Sequence, residues 1–429
     1  MIKKIHIFAT TDVHGNLYQE KINDGLFGKL SNLTHFLKNV DDDYLLIDNG
    51  DWFLGNSFTT FLANSVPPTK NPLTAALNQL GYQAVVCGNH DLDYGLSYLK
   101  KVTANFNGDV LSANLVDKNL EPIFKPYTII EKSGIKVAIL GLTTAALRKI
   151  QYYENVAEIY CLNTLETVKK YLPELEEKAD IIIVSYHGGI ERNMETGAMT
   201  QYDTGEDEAY KILSTFPQID GFICGHQHFI NQGISTARPF IQPGTSGNFL
   251  GELIFEVDTV SKKILNFSTK LNKLDEIISE APFSQEFLPY INQYESWLTY
   301  TFDESLLLSF IHKTIQRLSG VNISCFKKLT TYSVENILAA FKPPYTLRCV
   351  RLSLAELEYF LNKNRSTYSS FDFDNIEFSV VDDQIHVVAP KLEEYSIVVN
   401  SECDLFPEYC VARVQIDNVF DQIIKYYKN

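Results

Sequence analysis

Through about the first 270 residues, short apolar runs alternate with amphipathic stretches. The runs Ile5–Thr10, Tyr44–Ile47, Ala84–Cys87, Lys136–Leu140, Asp180–Ser185 and Gly221–Cys224 are nearly continuous in Val, Ile, Leu and Phe. That is the pattern of strands buried on both faces. Between them, Leu30, Leu33, Leu37 and Val40 form one apolar stripe, and Leu165, Val168, Leu172 and Leu175 form another. Asn163 predicts an N-cap for the second stripe, with Glu166 three residues on, and Pro173 predicts a kink or a split in its helix. Alternation of strand and helix in this way predicts an α/β sandwich.

The pattern changes between about Lys270 and Gln285, after which longer helices and scattered strands follow. Ser353-Leu354-Ala355-Glu356 predicts a capping box opening a helix over Leu354–Asn362, and Gly320 predicts the close of a helix that begins near Asp303. At 429 residues the chain exceeds the usual size of a single core. The expected organisation is a first domain over residues 1–272, a linker over 273–284 and a smaller α+β domain over 285–429.

Composition narrows the partners. The chain carries 37 basic and 53 acidic residues, a net charge of −16. Such a surface repels polyanions, which argues against a nucleic-acid scaffold or an anionic membrane as partner. A small phosphorylated substrate stays admissible, because a buried cation reverses the field locally. No stretch approaches the roughly 18–20 apolar residues of a membrane helix. The amino terminus runs into the first strand without a signal-peptide pattern. The seven cysteines include no Cys-x-x-Cys pair. Reduced core thiols in a cytoplasmic protein are therefore expected.

Five polar clusters each follow a β-type run. They are Thr11-Asp12-Val13-His14-Gly15-Asn16, Asp48-Asn49-Gly50-Asp51, Gly88-Asn89-His90-Asp91-Leu92-Asp93, Tyr186-His187-Gly188-Gly189 and Gly225-His226-Gln227-His228. Ligands of α/β layers bind at the carboxyl ends of strands. Five of the nine histidines lie in these clusters. Each cluster alone reads as an ordinary turn; the set of five, each at a strand end, reads as a metal site. Asp12 with His14, and His226 with His228, are two apart, so in extended chain each pair projects to one side and can clasp an ion. Imidazoles, carboxylates and an amide suit Mn, Zn, Fe or Co better than calcium. Two ions about 3.5–4 Å apart need a bridging carboxylate, and Asp51 is the natural candidate.

Asp-x-His, Gly-Asp, Gly-Asn-His-Asp, His-Gly-Gly and Gly-His-x-His, in that order, resemble the calcineurin-like metallophosphoesterases. The resemblance is closer to the 5′-nucleotidase and 2′,3′-cyclic-nucleotide 2′-phosphodiesterase branch. It is carried by Ala9–Asn16, Asp48–Asp51 and Gly88–Gly95, with support from Ser112-Ala113-Asn114 and Gly205–Tyr210, where Asp207 replaces a usual asparagine. It implies a four-layer α/β/β/α sandwich followed by a shortened substrate domain, and hydrolysis of nucleotide phosphoesters with two divalent transition-metal ions. Carried over by position, one ion would be held by Asp12, His14, Asp51 and His228, the other by Asp51, Asn89, His187 and His226. His90 and Asp93 match the family's catalytic pair, with Asp93 orienting the imidazole. The ions would generate hydroxide from water near neutral pH and neutralise phosphoryl oxygens. His90 would stabilise the phosphoryl group or protonate the leaving oxygen. Asn114 and, for stacking the base, Phe371 and Phe406 are the implied substrate contacts. Phe373, Phe378 and Tyr409 are further aromatic candidates, and all five aromatics also suit a core.

One departure bears on the substrate. The family's Gly-Gly-Ile-Arg segment corresponds here to Gly320–Lys328, which has no arginine. Lysine does not reproduce the bidentate fork, so the resemblance leaves monoester and cyclic diester open. Two alternatives stand beside nucleotide hydrolysis: a metallophosphoesterase for another phosphoester, and a nucleotide-binding or sensor protein without turnover. Retention of every ligand and of both pair members weighs against the last.

Overall fold

The computed structural model describes residues 1–22, 25–274, 285–340, 346–400, 405 and 412–415. The chain divides into two compact units, Met1–Ile291 and Asn292–Asn429. Most of the expected linker, residues 275–284, lies outside the described residues, and residues 285–291, expected at the head of the second domain, fall in the first unit.

Two six-stranded sheets build the first unit. One has the order Ile264–Lys273, Phe249–Asp258, Ile2–Thr10, Asp43–Asp48, Ala84–Val86, Asp109–Leu111. The other has the order Ile230–Ser235, Arg238–Pro243, Gly221–Cys224, Ile181–His187, Ile135–Thr143, Tyr127–Lys132. All six apolar runs are strands, and they pair in parallel: Ile2–Thr10 with Asp43–Asp48 and that with Ala84–Val86, Ile135–Thr143 with Ile181–His187 and that with Gly221–Cys224. Antiparallel strands finish three of the four sheet edges. The sequence pattern did not reveal them because exposed strands such as Ile264–Lys273 mix polar and apolar residues without a buried run.

Strand Ile181–His187 shows why continuous apolar sequence folds this way. All seven of its residues are buried. Successive side chains point to opposite faces. Ile181 and Ile183 join Ile5, Ile7, Val137 and Ile139 in the core between the sheets. Ile182 and Val184 join Val168, Leu172 and Leu175 of helix Thr164–Lys178 on the outer face. Each such aliphatic side chain contributes about 1.5–3 kcal/mol on full burial. Asn163 caps that helix, accepting from Glu166 N. The helix is not split at Pro173; the buried stripe on both sides of the proline holds it to the sheet.

The second unit has a five-stranded sheet, ordered Phe371–Asp374, Ile323–Lys327, Glu394–Asn400, Thr346–Ser353, Ala412–Gln415. Asp303 caps helix Glu304–Ser319, and Gly320, with φ of 70°, closes it. Ser353 and Glu356 form the expected capping box. The core gathers Ile323, Cys325, Val350, Leu352, Leu357 and Ile397, among others.

Candidate metal centre

In the first unit, five polar segments continue from the carboxyl ends of parallel strands in both sheets. Loop-to-loop hydrogen bonds set their register: Asn49 N donates to Thr10 O at 2.8 Å, Asp12 N to Gly50 O at 2.9 Å and His14 N to Asp51 O at 2.8 Å. Asn49 joins the sheets. Its Oδ1 accepts from Ser185 Oγ at 2.6 Å and its Nδ2 donates to Tyr186 O at 3.1 Å.

The i, i+2 pairs do not sit in extended chain, which corrects the sequence expectation. Asp12, His14, Asp51, His226 and His228 have φ of 50°, 50°, 57°, 68° and 61°. Outside glycine, this left-handed region is populated mainly by Asn, Asp and His, and strain of about 1–3 kcal/mol per residue is characteristic of functional sites. Tight turns, rather than a strand pleat, bring the pairs together. Gly88 permits the packing: a Cβ there would collide with Asp51 Oδ1.

Two groups of ligand atoms result, each within 4.8 Å: Asp12, His14 and His228, and Asp12, Asp51 and His187. Asp12, Asp51 and His187 are fully buried, whereas the His228 side chain is 45% exposed. His14 Nδ1 lies 2.6 Å from Leu54 O and His187 Nδ1 lies 2.7 Å from Asn49 O. A carbonyl only accepts, so both Nδ1 atoms carry protons, and in the neutral rings both Nε2 atoms offer lone pairs. His14 Nε2 faces His228 Nε2 at 3.1 Å. His187 Nε2 faces Asn89 Oδ1 at 3.1 Å and Asp51 Oδ2 at 3.2 Å. Asp12 Oδ1 is buried without a hydrogen-bond donor, with His228 Nε2 at the ion-pair distance of 3.4 Å. Lone pairs converging on carboxylate oxygens, beside an orphaned buried oxygen, fit a divalent cation.

Electrostatics agree. Burial raises the Asp51 carboxyl, yet His187, His90 and His14 outweigh it and hold it ionised well below the usual range. Burial likewise opposes charge on Asp12, which ends lowered through His228, His187 and His14. Burial would lower His187; Asp51 and Asp12 overcome it and push the imidazole up to about 10. A field able to hold a proton on an enclosed imidazole is equally a field for a metal ion.

The other expected residues divide. Asn89 is buried and reaches the His187 ring. His226 donates its backbone N–H to Asp12 Oδ2 at 3.0 Å, but its Nε2 pairs with Glu206 Oε1 at 2.9 Å, and it lies outside both groups. His90 Nδ1 sits 3.0 Å from Asp93 Oδ2, with the His90 side chain 32% exposed and its ring 5.5 Å from that of His14. Asn114 is not placed for substrate contact: it is fully buried, its Nδ2 donates to Thr143 O at 2.7 Å and its Oδ1 accepts from Thr143 N at 2.9 Å. Phe371 lies in the second unit's core and presents no free face for a base. Phe373 and Phe378 pack edge-on against each other at 5.0 Å beside that core. Phe406 and Tyr409 lie outside the described residues.

Two acids gain roles that the motifs alone did not disclose. Asp91 accepts from Asp51 N, Phe53 N and Gly88 N, each at 2.9 Å, and so clamps the Asp51 turn to the Asn89 loop. Burial, then the charge of Asp51, pushes its carboxyl up to about 6. Glu206 takes His226 Nε2, while its own carbonyl is held by Thr144 Oγ1 at 2.7 Å and Tyr186 OH at 2.9 Å. Asp91 stands inside a quoted motif; for Glu206 the only signal was its place in Gly205–Tyr210.

Residues 5–229 match the family model described as calcineurin-like phosphoesterase. A 2′,3′-cyclic-nucleotide 2′-phosphodiesterase/3′-nucleotidase of Salmonella typhimurium is 28% identical over 280 residues, 58% of this chain and 42% of the relative. A 5′-nucleotidase of Vibrio cholerae is 32% identical over 250 residues, 56% of this chain and 43% of the relative. The chain thus spans less than half the length of these curated relatives. Among solved structures, a Staphylococcus aureus protein in complex with α-ketoglutarate superposes with a TM-score of 0.72 at 22% identity, covering 100% of this chain and 97% of that one. A 5′-nucleotidase precursor from Thermus thermophilus gives 0.59 at 17% identity, covering 99% and 97%.

Proposed function

The chain belongs to the calcineurin-like phosphoesterase family, and from that premise we propose that it hydrolyses phosphate esters of nucleotides with two divalent transition-metal ions. The observation that carries this reading is the pair of ligand groups sharing the enclosed Asp12, with Nδ1 of His14 and of His187 engaged by carbonyls so that each Nε2 is left to the group. In the proposed assignment, Asp12, His14, Asp51 and His228 hold one ion, and Asp51, Asn89, His187 and His226 the other. Asp51 as the shared ligand is supported by its charge, the largest one raising both His14 and His187. When bound, the ions supply positive charge for the phosphoryl oxygens and acidify water.

The chain's own residues do the rest. Leu54 O and Asn49 O hold the two imidazoles in the tautomer that presents Nε2. Asp93 Oδ2 takes Nδ1 of His90, which leaves Nε2 to carry a proton to the departing oxygen. Exposure of His90 beside the buried ligands suits a group that meets substrate rather than metal. A nucleotide substrate, whether 2′,3′-cyclic diester or monoester, is supported by the names of the two relatives. Absence of arginine from Gly320–Lys328 favours the diester, whose single charge needs less cationic clamping.

The test is hydrolysis, with added Mn²⁺, of nucleoside 5′-, 3′- and 2′,3′-cyclic phosphates beside p-nitrophenyl and bis-p-nitrophenyl phosphate. It is read as phosphate released from the monoesters, as ring-opened nucleoside monophosphate separated by chromatography for the cyclic diesters, and as p-nitrophenol for the two chromogenic esters. Nucleotides are expected to show the higher kcat/KM, the cyclic diesters highest. Equal treatment of nucleotides and p-nitrophenyl phosphate would remove the nucleotide from the proposal. No turnover of any ester by a metal-loaded protein would favour a binding or sensor role.

A further inference from the structure

Gln151 follows the short helix Leu147–Ile150, beyond the end of strand Ile135–Thr143, and none of the motifs includes it. Its Nε2 donates to Asp93 Oδ1 at 2.5 Å and to Asn89 O at 2.8 Å. Both partners are acceptors, so the amide nitrogen, not the oxygen, must face them. Asp93 Oδ2 is the oxygen that meets His90 Nδ1, at 3.0 Å. The carboxylate is therefore held at both oxygens, and rotation about its last bond would break both contacts. Asn155 Nδ2 adds a bond to Asp93 O at 2.6 Å from the same segment. That segment is itself anchored: Leu147, Val156 and Ile159 are fully buried. Arg148 donates to Ile159 O and packs over the Tyr160 ring at 5.3 Å.

We propose that Gln151 is a positioning residue for the proposed His90–Asp93 pair. One amide group orients the Asp93 carboxylate toward His90 and, through Asn89 O, fixes the pair against the backbone of an expected metal ligand. The hydrogen bonds of Gln151 go to Asp93 and to the backbone of Asn89, so it acts through them. The proposal rests on the reading of His90 and Asp93 given above.

Steady-state kinetics and metal content of Gln151→Ala, His90→Ala and the double variant separate the two ideas. Gln151→Ala should lower kcat roughly 10-fold, in the range of lost outer-shell partners, with KM and metal content near wild type. In the His90→Ala background the same change should have little further effect, because groups acting through one another are not additive. Gln151→Glu keeps the shape but turns an acceptor toward two acceptors, and should lose at least as much as alanine. A second readout needs no turnover: the His90 Nδ1–H proton resonance should be sharp in the wild-type protein without added metal and broadened by exchange in Gln151→Ala. The proposal is overturned if Gln151→Ala or Gln151→Glu keeps wild-type kcat. It also fails if the loss repeats in full without His90, if it follows metal content, or if the resonance is unchanged. A His90→Ala protein with full activity would instead sink the underlying assignment of the pair.

Discussion

Asp12 in the first unit and Ser324 in the second are both fully buried, yet their polar atoms meet opposite surroundings. Asp12 Oδ1 has no hydrogen-bond donor. Ser324 Oγ meets His312 Nδ1 at 2.7 Å and accepts from Gln316 Nε2 at 2.9 Å, and Gln316 also reaches Asp374 at 2.8 Å. His312 Nε2 lies 3.6 Å from Asp372. Serine, histidine and aspartate are the residue types of a hydrolytic triad, but Ser324 offers no surface to a substrate and its partners are satisfied. Residue type alone would rank the second cluster as chemistry. Hydrogen-bond satisfaction reverses that ranking, since burying an unmatched polar group is costly unless something absent from the protein chain completes it.

The largest expected effect breaks the comparison at its first member. Asp51→Ala should remove both ions and lower activity by more than about 10³-fold, beyond the loss of a single electrostatic donor. Asp12→Ala is the informative partner, because Asp12 is the residue common to both ligand groups. Elemental analysis of the two purified variants decides between them. A full complement of two metals in Asp51→Ala, with depletion in Asp12→Ala, would transfer the shared role to Asp12.

Much of this centre was legible because its residues end apolar runs. Asp12, His14, Asp51 and His228 lie two to four residues past a strand, His187 ends one, and all five come within ligand reach. The backbone that achieves it was not legible: a period-2 argument assumes extended chain, and the turns are left-handed. Nor were Gln151 and Glu206, which reach Asn89 from 62 residues and His226 from 20 residues away, contacts that only tertiary packing creates. Asn114 resembled a family segment, but its amide is spent on the backbone of Thr143, 29 residues away. Edge strands escaped for a plain reason, since a strand half in solvent need not carry an apolar run.

A moderate effect sharpens the second member. Ser324→Ala leaves His312 Nδ1 without its hydroxyl partner, while Gln316 keeps Asp374. A buried group deprived of its partner costs about 1–3 kcal/mol. Urea unfolding should show that loss, with metal content unchanged. Loss of metal instead would end the contrast between the two clusters.

The smallest effect shows that the contrast lies between sites, not between units. His6 is in the first unit, on the strand that leads to Asp12, but it resembles Ser324 in being satisfied. Its side chain is 12% exposed, with Nδ1 2.7 Å from Glu252 Oε1 and Nε2 3.3 Å from Asp42 Oδ2. The hydrogen bond to Glu252 outweighs burial, and Asp42 adds to it, so the His6 pKa is raised. A raised pKa means the folded state binds the proton more tightly than the unfolded chain does. The extra stability is fully present below the unfolded value, near about 6.5, and is lost as pH rises through the folded value. Asp42 is exposed, so solvent screens its share, and the buried Glu252 supplies the larger part of the effect. Measured as the stability difference between wild type and His6→Ala, it should shrink as pH rises from about 6.5 through the folded value, a range in which ordinary carboxylates stay ionised. The metal centre is common to both proteins and cancels from that difference. A gap that widened with pH would mean that His6 is held neutral in the folded protein, and its place beside Ser324 would be lost.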